Sequence, residues 1–269
     1  MKKNMAKFVA LLLVVMVPFF YSCSDNPSEP KNQQPPTVPP KSTMVMDFSS
    51  FTQTSLAKTD GKGNWLWAVG NVAFWNTALT LTLAVPVAAF VESFNHSPVL
   101  QPNGSWLWSY NFNIGALQYT AELYGKVSLN GMKWDMYVTL HGVFTEFHWF
   151  SGTSDLLATA GYWTMNLRPA EPVPFLQIDW TRDPKTQAVD ITYTNIVPDG
   201  EENGSTIHQG FNQELPYTGL FDIYRVSTAN KVEIKWNRET LEGRIKDPKH
   251  FSDDLWHCWD ANLNDVECN

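Results

Sequence analysis

The chain has 269 residues, of which 43% are apolar and 17% charged, with 12 Trp, 9 Tyr and 16 Phe. That composition gives a folded chain with a large core to bury and excludes intrinsic disorder. A formal net charge of −8 argues against nucleic-acid binding, which needs a surplus of Lys and Arg, and three cysteines exclude a disulfide-dense mini-protein.

The chain opens with Lys2, Lys3 and Lys7, followed by an apolar run of 14 residues from Phe8 to Tyr21. A membrane-spanning helix needs about 20 residues, so this basic start and short apolar core reads as an export signal. The run ends Phe20-Tyr21-Ser22-Cys23, a small residue directly before a cysteine. This resembles the lipobox of bacterial lipoproteins. The resemblance implies removal of residues 1–22 and acylation of Cys23 as the mature N-terminus. The protein is then held to a cell-envelope membrane by its acyl chains. Ser24 is not the Asp that marks inner-membrane retention in enteric lipoproteins, so the outer membrane, on its periplasmic or surface face, is the expected address. Residues 23–45 carry prolines 27, 30, 35, 36, 39 and 40 among Ser, Asn, Gln and Lys, and read as an extended tether.

Residues 46–269 are expected to form a single domain. The apolar stretch Ala78–Val91 is too short to span a bilayer and predicts a buried helix within 77–95, interrupted by Pro86. From residue 105 onward a two-residue period dominates. Trp106, Trp108, Tyr110, Phe112 and Ile114 share one parity, as do Leu117, Tyr119, Ala121, Leu123, Val127 and Leu129. Asn130-Gly131 predicts a two-residue hairpin turn that sets Leu129 opposite Met132. Met132, Trp134, Met136, Val138 and Leu140 then continue the same apolar face. About ten short strands with no crossover helices predict a mainly β fold. The expected form is an antiparallel meander curled into a barrel or half-barrel, with the N-terminal helix packed on it. In general shape this resembles the lipocalins, without their Gly-x-Trp on the first strand.

Trp106, Trp108, Tyr110, Trp134, Trp163, Trp180 and Trp236 all fall on the core-facing parity. Such residues fill a core or line a cavity in a curved sheet, where an apolar ligand or a sugar ring would sit. Near the C-terminus, Ser252 predicts the cap of a helix from Asp253, which would align Asp253, His257 and Asp260 with His250 just upstream. Imidazole and carboxylate together could ligate a metal, although a solvated surface helix explains the same residues. Asp260-Ala-Asn262-Leu-Asn264-Asp265 begins like a calcium loop but lacks the glycine and the final glutamate. If Cys23 is acylated, Cys258 and Cys268 remain as a pair for an oxidising compartment. Glu146 and His148, with His141 nearby, are the candidate acid/base pair. No nucleophile elbow, phosphate loop or zinc-protease motif occurs, and no cofactor is expected.

These readings converge on a non-catalytic envelope lipoprotein that binds an apolar or glycan-like ligand, or an envelope partner. The alternatives are a metal-assisted hydrolase using the cluster at 250–260 and a structural scaffold lipoprotein.

Overall fold

Strict alternation with short turns gives each strand its sequence neighbours as partners, and the fold follows that rule without exception. In the computed structural model, which describes residues 34–51 and 61–268, fourteen strands form one antiparallel sheet in chain order. The first seven are β1 (Val99–Leu100), β2 (Trp106–Ile114), β3 (Leu117–Ser128), β4 (Gly131–Leu140), β5 (Phe144–Ser154), β6 (Ala160–Arg168) and β7 (Glu171–Arg182). They continue as β8 (Val189–Asn195), β9 (Thr206–Phe211), β10 (Gly219–Arg225), β11 (Asn230–Trp236), β12 (Gly243–Lys246), β13 (His257–Trp259) and β14 (Asp265–Val266). The sheet stays open, a half-barrel rather than a barrel. Both of its edges are two-residue strands, too short to template pairing with another chain.

The hairpin of β3 and β4 keeps the expected faces but turns one residue sooner. Val127, not Leu129, lies opposite Met132, and Ser128 pairs with Gly131. Gly131 has φ 122°, and a Cβ there would lie 2.2 Å from the carbonyl oxygen of Ser154 on β5. The glycine is needed where the third strand passes, so the turn falls on Leu129-Asn130 and leaves Leu129 fully exposed. The resulting slip of two in the pairing preserves parity, which is why the apolar faces still agree.

A helix, α1 (Gly63–Glu92), crosses the buried face of the sheet. It begins well before residue 77, where the sequence places its start. Trp65, Ala68, Val72, Leu79, Leu83, Pro86 and Phe90 are buried and recur at intervals of three, four and seven, one stripe facing the strands. Its first turns lie on β12–β14, and its last turns reach β2 and β4. At that far end Phe90 meets Phe150 and Trp163 edge-on, and the Tyr110 hydroxyl donates to the Ala89 carbonyl at 2.5 Å. Burial raises the Tyr110 phenol above its ordinary range. By length and composition the helical run Gly63–Asn95 would suffice to cross a membrane.

Before the helix, residues 38–51 lie along the sheet as a strap. Thr43 and Met44 are completely buried, so packing takes in residues that composition alone assigns to the tether. Tyr193 on β8 fixes the strap: its hydroxyl donates to the Met44 carbonyl at 2.8 Å and accepts from the Met46 amide at 3.0 Å. Phe48 and Phe51 then stack into the cluster of Phe221, Trp236 and Trp65.

The tryptophans are accommodated by glycines. Gly125 stands directly opposite Trp134, Gly152 opposite Trp163, Gly161 opposite Trp180, Gly219 opposite Trp236 and Gly243 opposite Trp259. A Cβ on any of these glycines would lie 2.3–2.7 Å from the facing indole. Each missing side chain is the space in which an indole lies flat against the neighbouring strand. Glycine in a strand also relaxes the backbone toward curvature, and the facing aromatic restores the buried area the glycine lacks. One pairing repeated five times thus supplies both the bend and the core.

Candidate functional site

Six of the seven aromatic candidates are core. Trp108, Tyr110, Trp134, Trp163, Trp180 and Trp236 are at most 5% exposed, and Trp106 packs against them partly buried. Trp134 donates to the Ser154 hydroxyl at 3.0 Å, and Trp163 to the Thr43 hydroxyl at 3.3 Å. Their indole faces are occupied by facing glycines and by one another, so they offer no platform to a sugar ring. None of the seven lines the cleft described next.

That cleft opens where the middle of α1 leaves the sheet. Phe74, Trp75, Ala78, Leu79 and Thr82 form its helical wall, and Phe175 and Leu176 of β7 form the opposite one. It holds about 280 Å³ and is almost wholly apolar. Phe74 is 61% exposed at its rim. Among the described residues, the buried indole N–H of Trp75 has no hydrogen-bond acceptor. Leu79 also borders a second space of about 240 Å³, on the other flank of the helix beneath the strap. The helix midpoint is therefore loosely packed on both sides, while its two ends are firmly held.

Polar groups gather at one end of the cleft. Asn195, Glu202, Ser205 and Arg225 form that end, and the Arg225 guanidinium carbon lies 5.4 Å from the centre of the Phe74 ring. Hydrogen bonds from the hydroxyls of Ser205 and then Ser227 hold the Glu202 carboxyl below its usual range, so it is ionised near neutrality. Arg225 also borders a second, polar hollow of about 570 Å³ with Trp67, Asn71, Lys249 and His250. There the His250 ring stacks on Trp67 at 3.7 Å. Asp247, buried at the back, accepts from the Trp67 indole and the Asn230 amide at 2.9 Å each. It also caps α2 (Pro248–Phe251) through the amides of Lys249 and His250.

The C-terminal residues do not form the expected helix. Ser252 lies at the end of α2 with φ 61°, a C-cap rather than an N-cap, because Asp247 and Pro248 begin the helix earlier. His257 is on β13 and bonds Asp253 at 3.1 Å, while Asp260 accepts from the amides of Asn262 and Asn264 in a tight turn. With His250 stacked on Trp67, only Asp253 and His257 of the four candidates are brought together, and no group of three metal-binding side chains occurs among the described residues.

The acid/base pair is likewise not assembled. A bulge between β4 and β5 places Glu146 at φ 49°, and its amide donates to the Thr139 hydroxyl. His148 bonds Asp135 across the strands at 2.9 Å and stacks on Tyr137, and His141 bonds Thr120. Cys258 and Cys268 stand at disulfide distance, with S–S 2.06 Å and Cα–Cα 5.2 Å. Cys23 lies outside the described residues.

The fold and its cleft thus define a class: an open antiparallel half-barrel spanned by a single helix, with an apolar opening between the two. No family model, curated protein or solved structure matches the chain.

Proposed function

We propose that this protein is a lipid-anchored protein of the bacterial cell envelope whose domain binds a small apolar or amphiphilic ligand, without catalysis, between α1 and β7. The observation that carries the reading is the apolar cleft of about 280 Å³ bounded by Phe74, Leu79 and Phe175. Its volume falls just below the usual range of ligand sites, about 300–1,000 Å³, and like them it combines apolar walls with a few polar groups. A helix whose midpoint borders empty space on both flanks can shift to admit a guest while its ends stay fixed. The anchor rests on the lipobox-like Ser22-Cys23, and the Cys258–Cys268 pair fits an oxidising envelope compartment.

A fluorescence titration with the neutral apolar probe 1-N-phenylnaphthylamine tests it. One saturable site is expected in the native chain. Replacing Ala78 in the helical wall with the far larger tryptophan (Ala78→Trp) should abolish it with the circular dichroism unchanged. Probe binding that is absent, or that survives Ala78→Trp, overturns the proposal.

A further inference from the structure

The cleft's polar end specifies more than an apolar guest. Two carboxylates border the combined space, and both are already engaged by the protein's own donors. Glu202 accepts from two serine hydroxyls, and Asp247 accepts from an indole, an amide side chain and two helix amides. The two cations differ. Among the described residues, neither the Arg225 guanidinium nor the Lys249 ammonium has an ion-pair or side-chain hydrogen-bond partner. Arg225 has only the face of Phe74 and the field of Glu202. Arg225 is also the one side chain common to the apolar cleft and the polar hollow. A guanidinium presents a planar fork of donors that matches a carboxylate or phosphate. Here that fork stands at the boundary between a greasy slot and a wet one, with Lys249 farther along the wet side.

We propose that the ligand is a single-chain amphiphile with an anionic headgroup, carboxylate or phosphate, its chain in the cleft and its headgroup on Arg225. This rests on the cleft being a ligand site, as proposed above, and adds the ligand's chemical class. The cleft's 280 Å³ suits one short acyl chain rather than the paired chains of a bilayer lipid. The charge of the headgroup is set by the unpaired cations, since the anions beside them are already engaged by donors of the protein itself.

The test uses the full chain and three probes that share a ten-carbon tail: decyl phosphate, decyl maltoside and decyltrimethylammonium, each below its micelle concentration. Isothermal titration should show decyl phosphate binding about tenfold tighter than the neutral probe, and the cationic probe weakest. Arg225→Gln should remove the tenfold preference and leave decyl maltoside unchanged. Lys249→Gln should weaken only the phosphate, and by less. Because the Arg225 side chain holds no hydrogen bond among the described residues, its replacement should leave the thermal midpoint in place. Equal affinity for the three probes in the native chain, or a preference that survives Arg225→Gln, overturns the headgroup assignment while leaving the cleft as a ligand site. Failure of all three probes to bind overturns both readings.

Discussion

The carboxylate of Asp265 closes the N-terminus of α1: Oδ2 accepts from the Gly63 amide and Oδ1 from the Asn64 amide, each at 2.9 Å. The Asp265 amide in turn donates to the Gly61 carbonyl, and the Asn64 side chain donates to the Cys258 carbonyl. The residue before the helix, Lys62, makes no side-chain cap, so the end of the chain supplies what the local sequence lacks. Asp265→Ala should lower stability by about 1 kcal/mol in urea unfolding. Because the cap is carried on the loop closed by Cys258 and Cys268, its cost should shrink in a Cys268→Ser background. A double-mutant cycle reads that coupling.

The glycine–tryptophan pairs predict opposite outcomes for one kind of substitution. Gly219→Ala places a methyl 2.6 Å from the Trp236 ring and Gly152→Ala one 2.3 Å from Trp163. Each should destabilise by about 1–3 kcal/mol, the usual cost of overpacking. Gly70 is exposed within α1, and a methyl added there would meet nothing within 4 Å. Gly70→Ala should therefore stabilise by about 0.5–1 kcal/mol through helix propensity. Chemical denaturation of the three variants checks both signs.

Removing the Tyr193 hydroxyl should loosen the strap. Tyr193→Phe leaves the buried Met46 amide and Met44 carbonyl without their shared partner. The expected loss is about 1–3 kcal/mol. Faster hydrogen exchange at the Met46 amide, with exchange in β3 and β4 unchanged, would locate the loss in the strap.

A histidine on the outer face gives the stability a pH dependence. The hydrogen bond between His208 and Asp190, 2.9 Å long, raises the imidazole above its ordinary 6.5, against the opposing effect of burial. A raised folded value means that the stabilisation is complete below pH 6.5 and is lost as pH rises through the folded value. The pair is partly exposed, so the change should stay below about 1 kcal/mol. Melts of the native chain and His208→Gln should differ most below pH 6.5 and converge as the pH rises through the folded value.

Much of this fold was legible because strands of period two, joined by short turns, leave little choice of neighbour. The faces of Trp134, Met136 and Val138 followed from parity alone. The register of their hairpin did not, since Gly131 is required by the approach of Ser154 on a third strand, a contact no two-strand argument contains. The start of α1 was hidden for a similar reason: its cap, Asp265, lies near the other end of the sequence. The core-facing side of the tryptophans follows from parity, but their glycine partners depend on the register. The expected turn at Asn130-Gly131 would set Gly125 opposite Met136, and only the observed turn brings it to Trp134. The cleft was the least legible feature. It arises where Phe175 and Leu176 meet the midpoint of the helix, a meeting of distant segments that no local pattern contains.

The most direct test of the central claim, that the space between α1 and β7 is a ligand site, is a methyl NMR titration with decyl phosphate. Saturable shifts at Ala78, Leu79 and Leu176, with Val127 and Leu129 on the distant hairpin unmoved, are the predicted result. Shifts confined to other surfaces, or no shifts at saturating probe, would contradict it.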